Sequence, residues 1–169
     1  LMLIHSPQPW KDFRGGDYTD GNRQAWRALE DAHRAGKLRA IGVSNFLEED
    51  LEKLLAGSAS VPHANQVLVH AGNTPSELIA YCGNRNILVE AYSPIAHGEI
   101  LRNPDVQAMA GKYGVSVPQL CIRYTLQLGA VSLPKTEPPD HMPSPADRDF
   151  VTDAPAMTAL RGLRPRAYG

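Results

Sequence analysis

Residues 39–46, RAIGVSNF, decide the fold: a short apolar run, extended from Lys37 to Val43, that stops on the polar pair Ser44 and Asn45. The same shape recurs in LMLIHSP (1–7), ANQVLVH (64–70), ILVEAYSP (87–94) and AVSLPKT (130–136). Each run is too short for a helix and too continuously apolar for a strand with one wet face, so each reads as a strand covered on both sides. The stretches between them carry helical spacing. Strands alternating with amphipathic helices resolve as a parallel sheet, which makes the chain an α/β protein. In parallel α/β sheets the carboxyl ends of the strands build the functional site. His5, Ser44, Asn45, Gln66, Tyr92 and Lys135 fall at those ends.

Outward from the strands, the helices announce themselves by their caps. Asn22 is expected to cap a helix whose apolar stripe is Ala25, Trp26, Leu29 and Ala32, with Gly36 as its stop. A second helix, 48–56, places Leu47, Leu51, Leu54 and Leu55 on one side. Thr74, Pro75 and Glu77 have the form of a helix start, and that helix ends near Gly83. After the strand 87–92 come a loop around Gly98, helices at 104–113 and 117–128, a short strand 131–133, a proline-rich connection and a terminal helix near 154–162. Five strand and helix units suit the latter part of an eight-unit barrel, which typically needs about 250 residues. A doubly wound sheet is the rival architecture, but no glycine-rich fingerprint follows any strand. The expectation is one domain, 1–169, forming a partial (β/α)8 barrel from its fourth strand onward.

Composition excludes several function classes. Lys and Arg number 17 against 18 Asp and Glu, a formal charge of −1 with no basic run, so nucleic acid is not an expected partner. No apolar stretch nears the roughly 20 residues that cross a bilayer, and the start of the chain lacks a signal-peptide pattern, so a cytoplasmic protein is expected. Cys82 and Cys121 lie in helical patterns away from any C-x-x-C spacing and read as buried reduced thiols. His33, His63, His70 and His97 show no metal-ligand spacing and read as structural or surface residues.

Taken in order, LIHSP, GKLRAIGVSNF, NQVLVH, EAYSPIAHG, PQLCIRYTLQLG and LPKTEPPDHM resemble the aldo-keto reductases, from the first residue to the closing AYG. That family is a parallel eight-stranded barrel that reduces aldehydes and ketones with a nicotinamide cofactor. The resemblance implies that His5 lies beside the substrate carbonyl and orients or polarises it. It implies that Ser44, Asn45 and Gln66 hydrogen-bond the nicotinamide carboxamide, that Tyr92 stacks on the ring, and that Ser93 with its loop faces the pyrophosphate. Lys135 and Thr136 correspond to the pair that meets the adenosine ribose and its 2′-phosphate, with His141 where many members carry an arginine. NADPH is the cofactor so implied, with NADH as the alternative, and a small carbonyl compound is the substrate. Residue chemistry is in keeping: a flat ring needs a flat partner, an amide needs donors and acceptors, and phosphates need fixed positive charge.

Where the chain departs from the family, the expectations change. The aspartate, proton-donating tyrosine and lysine of the family's catalytic tetrad come from strands before the first one here, and Lys11 and Tyr18 do not match their positions. The chain is therefore expected to be a truncated portion, poorly active alone. Pro145 stands where many members have an adenine-contacting asparagine, and Leu68, Val69, His70 and Ala71 replace a frequent Glu-Tyr-His-Pro. Plainer roles stand beside the sharper ones. Ser44 and Asn45 could cap the helix that follows, Gln66 could satisfy a neighbouring strand, and Lys135 could be a solvated surface lysine. From a different class comes a non-catalytic nucleotide-binding half-barrel that self-associates through two open edges, Met2 to Ile4 and Val131 to Leu133.

Overall fold

The computed structural model describes residues 1–12, 15–135 and 150–164. Five strands alternate with helices: β1 (Met2–Ile4), α1 (Thr19–Arg34), β2 (Ile41–Ser44), α2 (Glu48–Leu55), β3 (Ala64–Leu68), α3 (Ser76–Asn84), β4 (Leu88–Tyr92), α4 (Pro104–Lys112), α5 (Val117–Gln127), β5 (Val131–Leu133) and α6 (Ala154–Arg161). Short 3-10 turns occupy Trp10–Asp12 and Ala96–Arg102. The second of these lies where the sequence reads as plain loop around Gly98. Contacts divide the chain into two compact units, Leu1–Val67 with Ser76–Glu90, and Leu68–Pro75 with Ala91–Gly169.

In the first unit the strand order is β1-β2-β3-β4. The β1–β2 and β2–β3 pairs are parallel, with Ile4 opposite Val43 and Ser44 opposite Gln66. All four residues of β2 are buried, as a continuous apolar strand between helices should be. Gly42 is dictated by packing, since a Cβ there would sit 2.5 Å from the Ala64 carbonyl oxygen and 2.8 Å from a Leu3 methyl. Trp26, Ile41, Val43, Phe46, Leu51 and Leu54 form the centre of this unit's core.

Three details of the helices differ from their sequence reading. Helix α1 starts at Thr19, where Asp17 accepts from both the Thr19 amide (2.9 Å) and its hydroxyl (2.6 Å). Asn22 therefore lies inside the helix, and its side chain donates instead to the Pro7 carbonyl at 2.8 Å. The buried face of α1 is Trp26 and Glu30, while Ala25 is exposed. Helix α2 is started neither by Ser44 nor by Asn45. Asp50 reaches back to accept from the Leu47 amide at 2.8 Å, and Leu47 itself is half exposed rather than part of the apolar side. The Thr74 hydroxyl does not serve as the start of α3 in the way the sequence implies; it donates to the His70 carbonyl and meets the Tyr124 hydroxyl at 2.6 Å.

Among the described residues of the first unit, Glu30 is a buried carboxylate. Its Oε1 accepts from Trp26 Nε1 (3.1 Å), the Ala59 and Ser60 amides (2.9 and 2.7 Å) and the Ser60 hydroxyl (2.8 Å). The oxygen fixes the turn after α2 against α1, a use of charge that satisfies every donor it meets.

The second unit takes in the end of β4 together with β5. Its core is Ala71, Ala96, Ile100, Val106, Ala110, Leu120, Cys121, Tyr124 and Leu160. Residues 150–153 are clamped onto α4 and α5. Gln127 and Thr152 exchange two hydrogen bonds of 2.8 and 2.9 Å, the Asp153 amide donates to Tyr113 Oη at 3.0 Å, and Lys112 pairs with the Asp153 carboxylate. Asp153 then caps α6 by accepting from the Ala156 amide at 2.9 Å. Both cysteines are free and buried, as expected, and burial pushes the Cys121 thiol up to about 12. Among the described residues no helix is long and apolar enough to cross a membrane.

Two measurements probe these units separately. Glu30→Ala takes the acceptor from the buried Trp26 Nε1 and from three less buried donors of Ala59 and Ser60 and should lower the unfolding free energy by about 2 kcal/mol in urea titration, whereas Glu30→Gln keeps an acceptor and should lose about 1 kcal/mol. In the second unit His70 is buried, and burial chiefly, with the charge of His97 adding to it, lowers its pKa below the ordinary 6.5 against the raising effect of the Ala71 carbonyl. The unfolded chain then binds the proton more readily, so stability is full above the ordinary value and falls as the pH drops below it towards the depressed one. His70→Gln should flatten that part of the pH–stability curve.

Candidate functional site

In the first unit the strand ends form a hydrogen-bonded series. Asn45 follows β2 with φ of 61°, a left-handed conformation that Asn tolerates better than other residues with a Cβ. Its backbone amide donates to the Gln66 carbonyl at 2.9 Å. Its side-chain Nδ2 donates to the His5 carbonyl at 3.1 Å and to Ser44 Oγ at 3.0 Å. Ser44 Oγ in turn donates to the Gln66 carbonyl at 2.8 Å, and Gln66 Nε2 donates to Glu90 Oε2 at 2.8 Å. His5, Ser44, Asn45 and Gln66 are thus brought together. Capping of α2, the plainer role open to Ser44 and Asn45, is not what their side chains do.

Two members of this site carry no sequence signal of their own. Glu90 sits inside an apolar run and is the carboxylate that orients the Gln66 amide. Trp10, in the turn after β1, sets its ring edge-to-face with His5, centroids 6.0 Å apart. An acid interrupting ILVEAYSP was the one available hint for Glu90. A cavity of about 400 Å³ opens beside His5, walled by Pro7, Pro9, Trp10 and Tyr18.

In the second unit Tyr92 ends β4 half-buried, and burial raises the pKa of its hydroxyl, so the ring stays neutral at physiological pH. The chain then turns through left-handed positions at Ser93, Ala96 and His97, φ 50°, 50° and 51°, before Gly98 at 87°. Left-handed alanine and histidine side by side are costly, of the order of 1 kcal/mol each, and such strain gathers at ligand-facing turns. Ser93 Oγ lies 3.3 Å from His97 Nε2. Ser93, Ile95, His97, Gly98, Leu133 and Lys135 line a cavity of about 380 Å³. Ser93 and Lys135 are brought together there; Tyr92 is not among the lining residues. Thr136, His141 and Pro145 lie outside the described residues. Among the described residues no group of three or more His, Cys, Asp or Glu side chains could hold a metal ion.

The family model for the aldo/keto reductases matches residues 1–146. The chain belongs to the aldo/keto reductase family. Glyoxal reductase of Bacillus subtilis is 43% identical over 136 residues, 80% of this chain and 46% of that protein. 2,5-Diketo-D-gluconic acid reductase B of a Corynebacterium species is 36% identical over 165 residues, 96% of this chain and 57% of that protein. The chain spans about half the length of the curated relatives it matches. Among solved structures, an aldo/keto reductase from Brucella melitensis superposes with a TM-score of 0.79 at 31% identity, over 95% of this chain and 59% of the other. A Bombyx mori aldo-keto reductase in complex with NADP superposes at 0.78 and 30% identity, over 95% and 56% of the two chains. The α/β fold is accordingly that of the aldo/keto reductase (β/α)8 barrel, of which this chain has five parallel strands.

Asn45 supplies the test of how far the first unit's site depends on one residue. Asn45→Ala loses the Nδ2 bonds and places a Cβ without a compensating amide in the left-handed region, an expected loss of about 2 kcal/mol by chemical denaturation. Asn45→Gly keeps the backbone at ease and should lose about half as much.

Proposed function

We propose that this chain carries the cofactor side of an aldehyde and ketone reductase that uses NADPH, with NADH as the alternative. On this reading residues 1–169 are one domain, equivalent to the barrel from its fourth strand onward, and the protein works in the cytoplasm. The observation that carries the reading is the bonded series from the His5 carbonyl through Asn45, Ser44 and Gln66 to Glu90, in a chain whose relatives include named reductases.

The residues present suit a dinucleotide. Asn45 and Gln66 present side-chain amides held by the strands, the donor and acceptor chemistry a nicotinamide carboxamide needs. Tyr92 offers a neutral, half-buried ring against which the nicotinamide would stack. In the second unit a lysine, a hydroxyl and a histidine line a cavity whose backbone turns through left-handed positions, which suits phosphate oxygens; Lys135 and Thr136 would meet the ribose and its 2′-phosphate, with His141 as a weaker point contact than arginine. When bound, the reduced cofactor supplies the hydride that reaches the carbonyl carbon. His5 donates a ring N–H to the carbonyl oxygen and fixes its direction, and the Trp10 edge limits how far that imidazole can swing. Gln66, tied to Glu90, holds its amide in one orientation. Lys11 and Tyr18 do not match the positions of the family's proton-donating tyrosine and its lysine, so on this reading the chain alone would bind cofactor and turn over slowly. Small carbonyl compounds are the substrate class.

A second reading rests on exposure. Leu1 and Met2 beside β1 are 57% and 52% exposed, and Val131 and Leu133 of β5 are 39% and 38% exposed. Apolar strand edges of this kind recruit other strands, and on this reading the chain acts by self-association as a nucleotide-binding half-barrel. Light scattering on the purified chain decides: a dimer or larger species favours this reading, and a compact monomer removes it.

The main reading is tested by titrating NADPH against the 169-residue chain and following cofactor fluorescence. Saturable binding is expected, with Lys135→Met weakening it about tenfold, the loss of one charge-assisted phosphate contact. Absence of binding overturns the reading. Turnover of a small aldehyde at a rate like that of whole relatives would overturn the slow-turnover part.

A further inference from the structure

Two imidazoles that lie far apart in sequence meet on the surface of the first unit. His33 is in the last turn of α1 and His63 is two residues after Val61, just before β3. Their rings pack edge to face with centroids 5.1 Å apart and planes at 68°. Neither belongs to the site described above. We propose that His33 and His63 form a two-histidine site for a late first-row divalent cation such as zinc or copper, with water completing the coordination shell.

His63 is anchored through both its backbone and its ring. Its backbone amide donates to the Ile41 carbonyl at 2.9 Å and its carbonyl accepts from the Leu88 amide at 3.0 Å, so the residue is fixed from both neighbouring strands. Its ring Nδ1 lies 3.0 Å from the Ile41 carbonyl oxygen and 3.3 Å from the Ile41 nitrogen. In one tautomer the Ile41 amide donates to Nδ1, and in the other Nδ1–H donates to the Ile41 carbonyl; a cation on Nε2 selects the second. A backbone carbonyl that takes the second ring N–H in this way fixes the tautomer, aims the ligating nitrogen and raises its basicity. His33 brings a second nitrogen, and its place at the carboxyl end of α1 favours a cation, because the helix's last carbonyls carry partial negative charge.

The surroundings select the kind of ion. Glu30, one turn before His33, has its Oε1 committed to Trp26, Ala59 and Ser60, and Asp31 is paired with Arg34 at 2.7 Å. No third His, Cys, Asp or Glu joins the pair among the described residues. A donor set of two imidazole nitrogens and water suits zinc, copper or nickel and offers little to calcium or magnesium, which seek oxygen ligands. A bound ion would join the end of α1 to the start of β3 and stabilise the first unit by mass action.

The experiment is titration of zinc chloride into the tag-free 169-residue chain, followed by calorimetry and by the shift in thermal unfolding midpoint. One equivalent is expected to bind and to raise the midpoint. His33→Gln and His63→Gln should each weaken that event about tenfold or more and remove the midpoint shift, while magnesium chloride gives neither signal. His33→Gln leaves the bonds between His63 and Ile41 alone, so a far-ultraviolet spectrum and metal-free midpoint like those of the parent show that any loss is not unfolding. Absence of a one-equivalent event in the parent overturns the proposal. So does His33→Gln binding zinc as the parent does. Neither outcome bears on cofactor binding, which is read separately.

Discussion

The left-handed turn at Asn45 is the constraint on which the first unit's site depends. Strand β2 is buried on every residue, so the chain must leave it sharply to reach α2, and a left-handed residue makes that turn in one step. An asparagine there does more than tolerate the conformation. Its short amide reaches the His5 carbonyl at the end of β1 and Ser44 Oγ at the end of β2, while its own amide and the Ser44 hydroxyl both donate to Gln66 on β3. Each such bond contributes only about 1 kcal/mol net, but leaving the carbonyls unpaired would cost more. Three strand ends are therefore aligned as a consequence of backbone hydrogen bonding, before any ligand is considered.

The second unit solves a related problem with different groups. Its chain passes from β4 through Ser93 to Gly98 in a run of left-handed positions that glycine alone adopts without cost. What offsets that strain is the packing beneath it: Ala96 and Ile100 are buried against Val106, Leu120 and Tyr124. The Tyr124 hydroxyl, deep in that core, is satisfied by Thr74, which itself donates to His70. Above this packed core the strained turn carries Ser93 and His97, which line one cavity with Lys135 just past β5. Pre-organisation of this sort lowers the ordering cost of a ligand that binds there.

How much of this was legible in the sequence depended on whether a residue's task was local. Strand β5 was read to the residue, and β2, α2, α4 and α5 to within a few, because apolar runs bounded by glycine, proline or polar pairs are written in consecutive letters. Caps were read less well. Asn22, Thr74 and the pair Ser44 and Asn45 are all good capping types, yet each is spent on a partner distant in sequence, the Pro7 carbonyl, Tyr124 and His5 respectively. At the starts of α1 and α2 the amides are taken instead by nearby acids, Asp17 and Asp50. Sequence spacing placed the site residues at strand ends, but Glu90 and Trp10 acquire their roles only when β3 lies beside β4 and the turn after β1 folds back. The meeting of His33 with His63 is of the same kind, invisible to any spacing rule.

On the proposed function, the first unit's amides and the second unit's lysine offer different kinds of contact. Asn45 and Gln66 are held by strands and by one another, so their amides act with little freedom to lose, and they govern which way a ring faces more than how tightly it is held. Lys135 is exposed at the end of a three-residue strand. A charge placed so contributes affinity that falls with salt and says little about orientation. A protein that must deliver a hydride to one face of a carbonyl needs the first kind of contact near the reacting atoms and can accept the second kind at the far end of the cofactor. Asn45 and Gln66 are contacts of the first kind, and Lys135, exposed just past β5, is of the second.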